Sequence, residues 1–396
     1  MSLPRGLDQD LPAPCWVAVL DASSARCALA LSRVSKTARA RAQPRLRGRI
    51  LVSLEDRAGP RRFDAATGAE QRGDPHGRRA LRPAERCSAA AFARDGTRVA
   101  TAHRDDLVRL RSVKTGELLR TLAGHAGTVR AVAFSADGAL LATASDDATA
   151  NLWDILNEYR DDDAPARTLA GHADWVRGVA FGGSSSEVVG TASDDGTAAV
   201  WDTATGALKV VLAGHAGYVR GLAFAPDAAR VATASWDCTA RVWNVADGAV
   251  LAVLTAHSDL VAGCAWAPDG ARLATCSFDA TACLWDVAPR GRPSGGPPLL
   301  TRRREEATPS SVVTLRVVLE KRHEHTLTGC AFSTDSKRLL TSSYDRTVRV
   351  WDASDGTPLG VLRFDAHVYA CDFAPLELLQ EEAASKADVL ARRVCF

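Results

Sequence analysis

The sequence predicts an all-β fold: seven four-stranded antiparallel units in succession, closed into a ring, with a short helical tail at the C-terminal end. Three observations carry that expectation. First, "LLATASDDATANLWD" (Leu140–Asp154) returns almost unchanged as "VGTASDDGTAAVWD" (Val189–Asp202). A catalytic site needs its residues once, whereas a repeated structural unit needs them every time. Second, Trp153, Trp201, Trp243, Trp285 and Trp351 fall 48, 42, 42 and 66 residues apart. Third, each interval reads as short strands of alternating character broken by turn residues.

One unit shows the order of elements. "TVRAVAFSADG" (128–138) is a strand running into an Asp-Gly turn, and "ALLATASDD" (139–147) is a second strand ending in another turn. "TANLWD" (149–154) is a third, and "APARTLAGH" (164–172) carries a fourth. Such a unit is one blade of a larger assembly, and neighbouring units stack to bury a shared core.

Four side chains keep their offsets in five units. Each repeated tryptophan has an aspartate six residues earlier: Asp147, Asp195, Asp237, Asp279 and Asp345. Four residues before each aspartate stands a threonine, at Thr143, Thr191, Thr233, Thr275 and Thr341. Eighteen or nineteen residues before that stands a histidine, at His125, His172, His215, His257 and His323. Five of the nine histidines and five of the nine tryptophans are thus fixed by one repeat.

The pattern resembles the WD-repeat β-propeller family. The matching text is "AGH" at 123–125, 170–172 and 213–215, "TASDD" at 143–147 and 191–195, and "WD" or "WN" at each repeat end, over residues from about 87 to 367. The resemblance implies that His, Thr, Asp and Trp form one hydrogen-bonded set inside each blade. The chemistry suits this: aspartate accepts, histidine relays, threonine does both and indole only donates. Five copies mark the sets as architecture rather than catalysis.

The ends are degraded. The first clear repeat keeps Thr101 and Asp105, but Pro83 stands where the histidine belongs and Arg111 where the tryptophan belongs. Upstream, "RILVSLEDRAGPRRFDAATGAE" (49–70) reads as the last half of a blade, with Ser53, Arg57 and Phe63-Asp64 in place of Thr, Asp and Trp-Asp. "CWVAVLD" (15–21) reads as a strand at the seam, and "HVYACDFAP" (367–375) as a further first strand that either completes the first blade or begins an eighth. A ring must close because open strand edges invite aggregation, and seven blades are expected. The resulting division is an N-terminal arm over 1–25, a propeller over 26–373 and a helical tail over 374–396. Within the propeller, 26–81 is a degenerate blade and 82–366 holds the clear repeats, with a Pro/Gly-rich, charged and disordered loop at 288–311. Thr308-Pro309 in that loop is a proline-directed phosphorylation dipeptide of a common kind.

Composition narrows the function classes. Apolar residues make up 46% and charged residues 24% of 396, a globular balance. No apolar run reaches the roughly 18 residues of a membrane helix, and "MSLPRGLDQDLPAPCW" is not the text of a secretory signal. The ten cysteines are scattered without a C-x-x-C pair, as expected of free thiols in a reducing compartment. A cytoplasmic or nuclear location is therefore expected, with no cofactor and no metal site. The net charge of +2 conceals asymmetry, because residues 1–86 carry 17 Lys/Arg against 9 Asp/Glu. Eight basic and no acidic residues lie between Ser23 and Arg49. That run reads as a solvated arm; a nuclear-import patch, a nucleic-acid contact and part of a transit peptide are the sharper alternatives.

Function then rests on residues that vary between repeats while holding face positions. The resemblance places three such positions per blade on the top face: three after the His, five after the His, and just before the Asp. Five after the His are Arg130, Arg177, Arg220, Ala262 and Thr328; three after are Thr128, Trp175, Tyr218, Leu260 and Thr326. Just before the Asp are Asp146, Asp194, Trp236, Phe278 and Tyr344. Arginines and exposed aromatics are the types enriched in binding hot spots. The expected partner-binding set is Arg130, Arg177 and Arg220 with Trp175, Tyr218, Trp236, Phe278 and Tyr344. Arginine grips carboxylate or phosphate bidentately, so the expected partners are other proteins, through acidic or phosphorylated segments, within a larger complex. Asp146 and Asp194 stand ready to neutralise two of the three arginines. The expected function is thus a non-catalytic interaction scaffold. The alternative is a substrate receptor of a ubiquitin ligase complex. It loses support because no F-box is visible before the repeats and "WDIL", "WDTA", "WNVA", "WDVA" and "WDAS" lack the arginine of W-D-x-R. Nucleic-acid binding rests on the basic run alone, without an aromatic platform.

Overall fold

In the computed structural model, the described residues are 14–19, 50–55, 87–113, 117–156, 164–183, 186–288, 313–319, 323–364 and 367–373. They form seven sheets, six of four strands and one of three. Two short strands come first: β1 (Pro14–Val19) and β2 (Ile50–Glu55). Blade 1 follows as β3 (Cys87–Phe92), β4 (Arg98–His103), β5 (Leu107–Ser112) and β6 (Leu118–Ala123). Blade 2 is β7 (Val129–Phe134), β8 (Leu140–Ser145), β9 (Thr149–Asp154) and β10 (Arg167–Ala170). Blade 3 is β11 (Val176–Gly182), β12 (Val188–Ser193), β13 (Thr197–Asp202) and β14 (Leu208–Ala213). Blade 4 is β15 (Val219–Phe224), β16 (Arg230–Ser235), β17 (Ala240–Asn244) and β18 (Val250–Leu254). Blade 5 is β19 (Val261–Trp266), β20 (Arg272–Ser277), β21 (Ala282–Val287) and β22 (Val313–Leu319). Blade 6 is β23 (Leu327–Phe332), β24 (Arg338–Ser343), β25 (Thr347–Asp352) and β26 (Pro358–Arg363), and β27 (Val368–Phe373) comes last.

Every blade is an antiparallel meander in chain order, the arrangement that short turns allow. Burial peaks in the second and third strands and is least in the outermost. The second strands are almost wholly buried, as in Val188–Ser193 and Arg230–Ser235, while outer strands such as Leu208–Ala213 bury little. The first strands of blades 1, 3, 4, 5 and 6, together with β27, line one central cavity of about 440 Å³, walled by small side chains such as Ala90, Ala180, Ala223, Ala265, Ala331 and Ala370.

The ends of the chain meet in the seventh sheet. β27 pairs with β2 (Ile50↔Phe373, Val52↔Cys371), and β2 pairs on its other edge with β1 (Trp16↔Ser53). The strand at 367–375, for which two fates were open, therefore joins the sheet that contains β2. The place beside β2 that the sequence assigns to Phe63-Asp64 is held by Pro14–Val19 instead, the stretch that the sequence reads as a strand at the seam. Phe63-Asp64, the rest of 56–86, the basic run, the 288–311 loop from residue 289 onward and the expected helical tail lie outside the described residues.

Blades lock together through their flanks. Leu222 and Phe224 of blade 4 press on blade 3 at glycines. A Cβ on Gly190 would collide with Leu222 Cδ1 and come within 2.8 Å of Phe224 Cε2, and a Cβ on Gly178 would lie 3.3 Å from Leu222 Cδ2. On the lower side, Arg98 reaches the carbonyl of Gly138 in blade 2 at 3.1 Å, and Arg272 reaches that of Ala353 in blade 6 at 2.7 Å.

Candidate functional site

The histidine loops all open on one face, the top. In blade 2, Trp153 Nε1 donates to Thr143 Oγ1 at 2.9 Å, Thr143 Oγ1 lies 2.7 Å from His125 Nε2, and His125 Nδ1 lies 2.8 Å from Asp147 Oδ2. The carboxylate can only accept, so Nδ1 carries the proton and Nε2 accepts from the threonine hydroxyl. Protons thus point one way along the chain, from indole to threonine to imidazole to carboxylate. The same sequence recurs in blade 3 (2.8, 2.7 and 2.8 Å) and in blade 4 (2.8, 2.7 and 2.7 Å). It recurs again in blade 5 (3.0, 2.8 and 3.1 Å) and in blade 6 (2.9, 2.8 and 2.8 Å).

Each aspartate is also a turn clamp. Asp237 accepts from the Ala216 amide at 3.1 Å, and from the Thr239 amide at 2.9 Å and its hydroxyl at 2.6 Å. Burial pushes its carboxyl up, but the bonds from Thr239 and His215 outweigh burial and hold its pKa at about 2. Burial likewise opposes, and hydrogen bonds overcome, in Asp147, Asp195, Asp279 and Asp345, whose pKa values all lie below the usual range. His215 and His323 are pushed below the ordinary imidazole value by burial, against the pull of their aspartates.

Blade 1, which lacks both the loop histidine and the tryptophan, is wired differently. His103 Nε2 lies 2.9 Å from Thr101 Oγ1, and Arg109 donates to Asp105 through Nη1 at 3.1 Å and Nη2 at 2.5 Å. His103 occupies the place of Ser145, Ser193 and Ser235 in later blades, so an imidazole enters the set from the strand instead of the loop.

On the top face, one backbone bond per blade joins two of the variable positions. The amides of Asp146, Asp194, Trp236, Phe278 and Tyr344 donate to the carbonyls of Thr128, Trp175, Tyr218, Leu260 and Thr326 at 2.9–3.1 Å. Two neighbouring clusters result. Trp175, 41% exposed, lies between two guanidiniums, with Arg177 Cζ 4.6 Å and Arg130 Cζ 5.7 Å from its ring centroid. Tyr218, 43% exposed, tilts against Trp236 at 5.3 Å, and Arg220 Cζ sits 5.0 Å from the centre of the same indole. Tyr344 stands apart on blade 6, between His325 at 6.0 Å and His367 at 5.5 Å, and Phe278 is half-buried on blade 5. His325 and His367 carried no signal in the repeat, because histidine recurs at neither of their places in the other blades.

Arg130 and Arg177 are each held by a carboxylate of the same blade. Asp146 accepts from Arg130 Nε at 2.8 Å and Nη2 at 2.6 Å, and Asp194 Oδ2 accepts from Arg177 Nε at 2.8 Å. Those guanidiniums are held in place against Trp175, and an acidic ligand would have to compete with a resident carboxylate at each. Among the described residues, no group of three or more His, Cys, Asp or Glu is placed to hold a metal ion, and no helix is long and apolar enough to cross a membrane.

Comparison with known proteins agrees with this geometry. The family description "WD domain, G-beta repeat" matches residues 116–154, 164–202, 206–244, 248–286 and 314–352, covering the five blades that carry the full His–Thr–Asp–Trp set. The chain belongs to the WD-repeat family. The WD-repeat chain is 52% identical over 46 residues to the periodic tryptophan protein 2 homolog of Schizosaccharomyces pombe, covering 12% of this chain and 5% of that protein. It is 47% identical over 60 residues to the nuclear distribution protein PAC1 of Arthroderma benhamiae, covering 15% of this chain and 13% of that protein. It is also 43% identical over 67 residues to WD repeat-containing protein 1 of Xenopus tropicalis, covering 16% of this chain and 11% of that protein. The matched stretches thus span no more than 13% of these relatives' lengths.

Proposed function

We propose that this WD-repeat protein is a non-catalytic interaction scaffold, and that it seats a segment of a partner protein on its top face over blades 2 to 4. One observation carries the reading: Trp175 and Tyr218 stand at equivalent places on consecutive blades and leave 41% and 43% of their surface in water, each beside arginine-backed aromatic surface. Large aromatics have few rotatable bonds, give contact area at low entropic cost and are the residue types of binding hot spots. The five tetrads are joined within single blades and spend their polar atoms on one another, which fits framework rather than chemistry.

The arginines contribute as positioned cations under the aromatic rings, worth about 0.5–1 kcal/mol per contact at exposed sites. The test is affinity purification with quantitative mass spectrometry of wild type against Trp175→Ala/Tyr218→Ala. Both residues are surface members outside the tetrads, so the double variant should melt within a few degrees of wild type and lose partners that wild type retains. Recovery of the full set of partners by the double variant refutes the top-face reading.

A further inference from the structure

Beneath the exposed aromatics lie buried polar atoms without a hydrogen-bond partner, Arg220 Nη1 among them. Asp194 is 7% exposed and spends Oδ2 on Arg177, while its Oδ1 is buried without a hydrogen-bond partner. Trp236 Nε1 is also buried without one. The two residues hold the same place on neighbouring blades, each just before its tetrad aspartate, and Arg220 links them: it stacks on the Trp236 ring and lies within electrostatic reach of Asp194. Asp146, their counterpart on blade 2, uses both oxygens on Arg130, so the vacant oxygen is a feature of blade 3 and not of the repeat.

Buried polar groups are almost always paired, and an acceptor and donors left over at equivalent places on neighbouring blades call for a group that gives and takes. Carboxylates and phosphates only accept, and ammonium and guanidinium groups only donate; a carboxamide does both. The local charge points the same way. Arg130 is balanced by Asp146 and Arg177 by Asp194, while Arg220 and Asp174 both act on Asp194 with opposite sign. An anionic ligand meets carboxylates already in place.

We propose that the partner segment seated on the top face presents an uncharged carboxamide, the side chain of Asn or Gln, whose N–H donates to Asp194 Oδ1 and whose carbonyl accepts from Trp236 Nε1. This rests on the top-face reading above and specifies its ligand. Tyr218, the exposed ring leaning on Trp236, is the cover that swings aside to admit the amide, and with Trp175 it packs against the apolar neighbours of that residue.

The experiment probes the full chain with an immobilised positional-scanning library of N-acetylated, C-amidated decapeptides, including phosphorylated residues. Selection of Asn or Gln at one position is expected. Trp236→Phe keeps an aromatic ring but removes the N–H with the five-membered ring that carries it, so it should weaken selected peptides at least about tenfold. Asp194→Ala should abolish the Asn/Gln preference. Selection of Asp, Glu or phosphorylated residues at that position, or an Asn/Gln preference unmoved by Trp236→Phe, overturns the proposal. If Trp175→Ala and Tyr218→Ala abolish peptide binding but no amide preference exists, the top-face reading stands and the carboxamide falls. If selected peptides ignore those two substitutions, both fall.

Discussion

At the scale of single residues, the same side-chain type does different work according to one step in sequence. Asp146 and Asp147 are adjacent. Asp147 closes the His125–Thr143–Trp153 chain, whereas Asp146 turns outward to fix Arg130. From the sequence Asp146 is a face residue of little consequence for stability; its paired bonds to Arg130, at a side chain 13% exposed, give it a share in the fold. The expected order follows from what each loss strands. Asp237→Ala leaves the Nδ1–H of His215 and the amides of the turn without their acceptor, a cost of about 1–3 kcal/mol. Asp146→Ala leaves one guanidinium that water can still reach, a cost of about 1 kcal/mol or less. Chemical denaturation of the two variants should give a clearly larger loss for Asp237→Ala, and equal losses would mean the tetrad is not the stronger network. Blade 1 makes the complementary point. With no loop histidine available, His103 and Arg109 serve Thr101 and Asp105 from within the strands.

At the scale of the blade, the unit is defined by repetition but its contacts with neighbours are not. The position before the tetrad threonine is Ala142, Gly190, Ala232 and Ala274 in successive blades, and it meets the inner strand of the next blade. Ala142 shares a core cluster with Val179, whereas Gly190 receives the larger Leu222. Gly190→Ala should therefore cost about 1–3 kcal/mol through overpacking. Adding Leu222→Val recreates the Ala142–Val179 combination and should recover at least about 1 kcal/mol, a coupling that denaturant midpoints of the single and double variants will show. Additive losses would place the strain elsewhere. This pairing explains what could and could not be read in advance. The tetrads were legible because four chemically distinct side chains kept their offsets within one unit. The Gly190–Leu222 lock was not, because its members belong to different units and each alone looks like ordinary apolar variation. His103 was hidden for a related reason: a substitute donor that enters from a new position breaks the register by which the original was recognised. The top-face positions were legible from the repeat, and Asp146 and Asp194 were visible beside the arginines. That both are bonded to them, and that one oxygen of Asp194 is left over, depends on side-chain geometry that no spacing encodes.

At the scale of the whole molecule, the ring joins strands more than 300 residues apart through the pairing of β2 with β27, so blades do not stabilise independently. The five tetrads then act on one cooperative structure, and their protonation should appear as a global dependence on pH. His215 and His323 have folded-state pKa values below the ordinary 6.5. The unfolded chain therefore binds protons there that the folded protein does not. Their contribution is whole above pH 6.5 and is lost as pH falls below it. The tetrad aspartates have folded values below the ordinary 3.8, about 2 for Asp237. Their contribution is complete above the ordinary value and is lost as pH falls from about 4 towards about 2, again because the unfolded state takes up the proton first. Both sets destabilise in acid, but in separate windows. Calorimetric melting between pH 8 and pH 3 should show a level Tm near neutrality, a first decline below pH 6.5 and a steeper one below about pH 4, where five carboxylates titrate together. In His215→Gln, one contributor to the first decline is absent, so that decline should shrink while the second remains. A Tm that holds level from pH 6.5 to pH 4.5 in the wild type would show that burial does not hold His215 and His323 below the ordinary imidazole value.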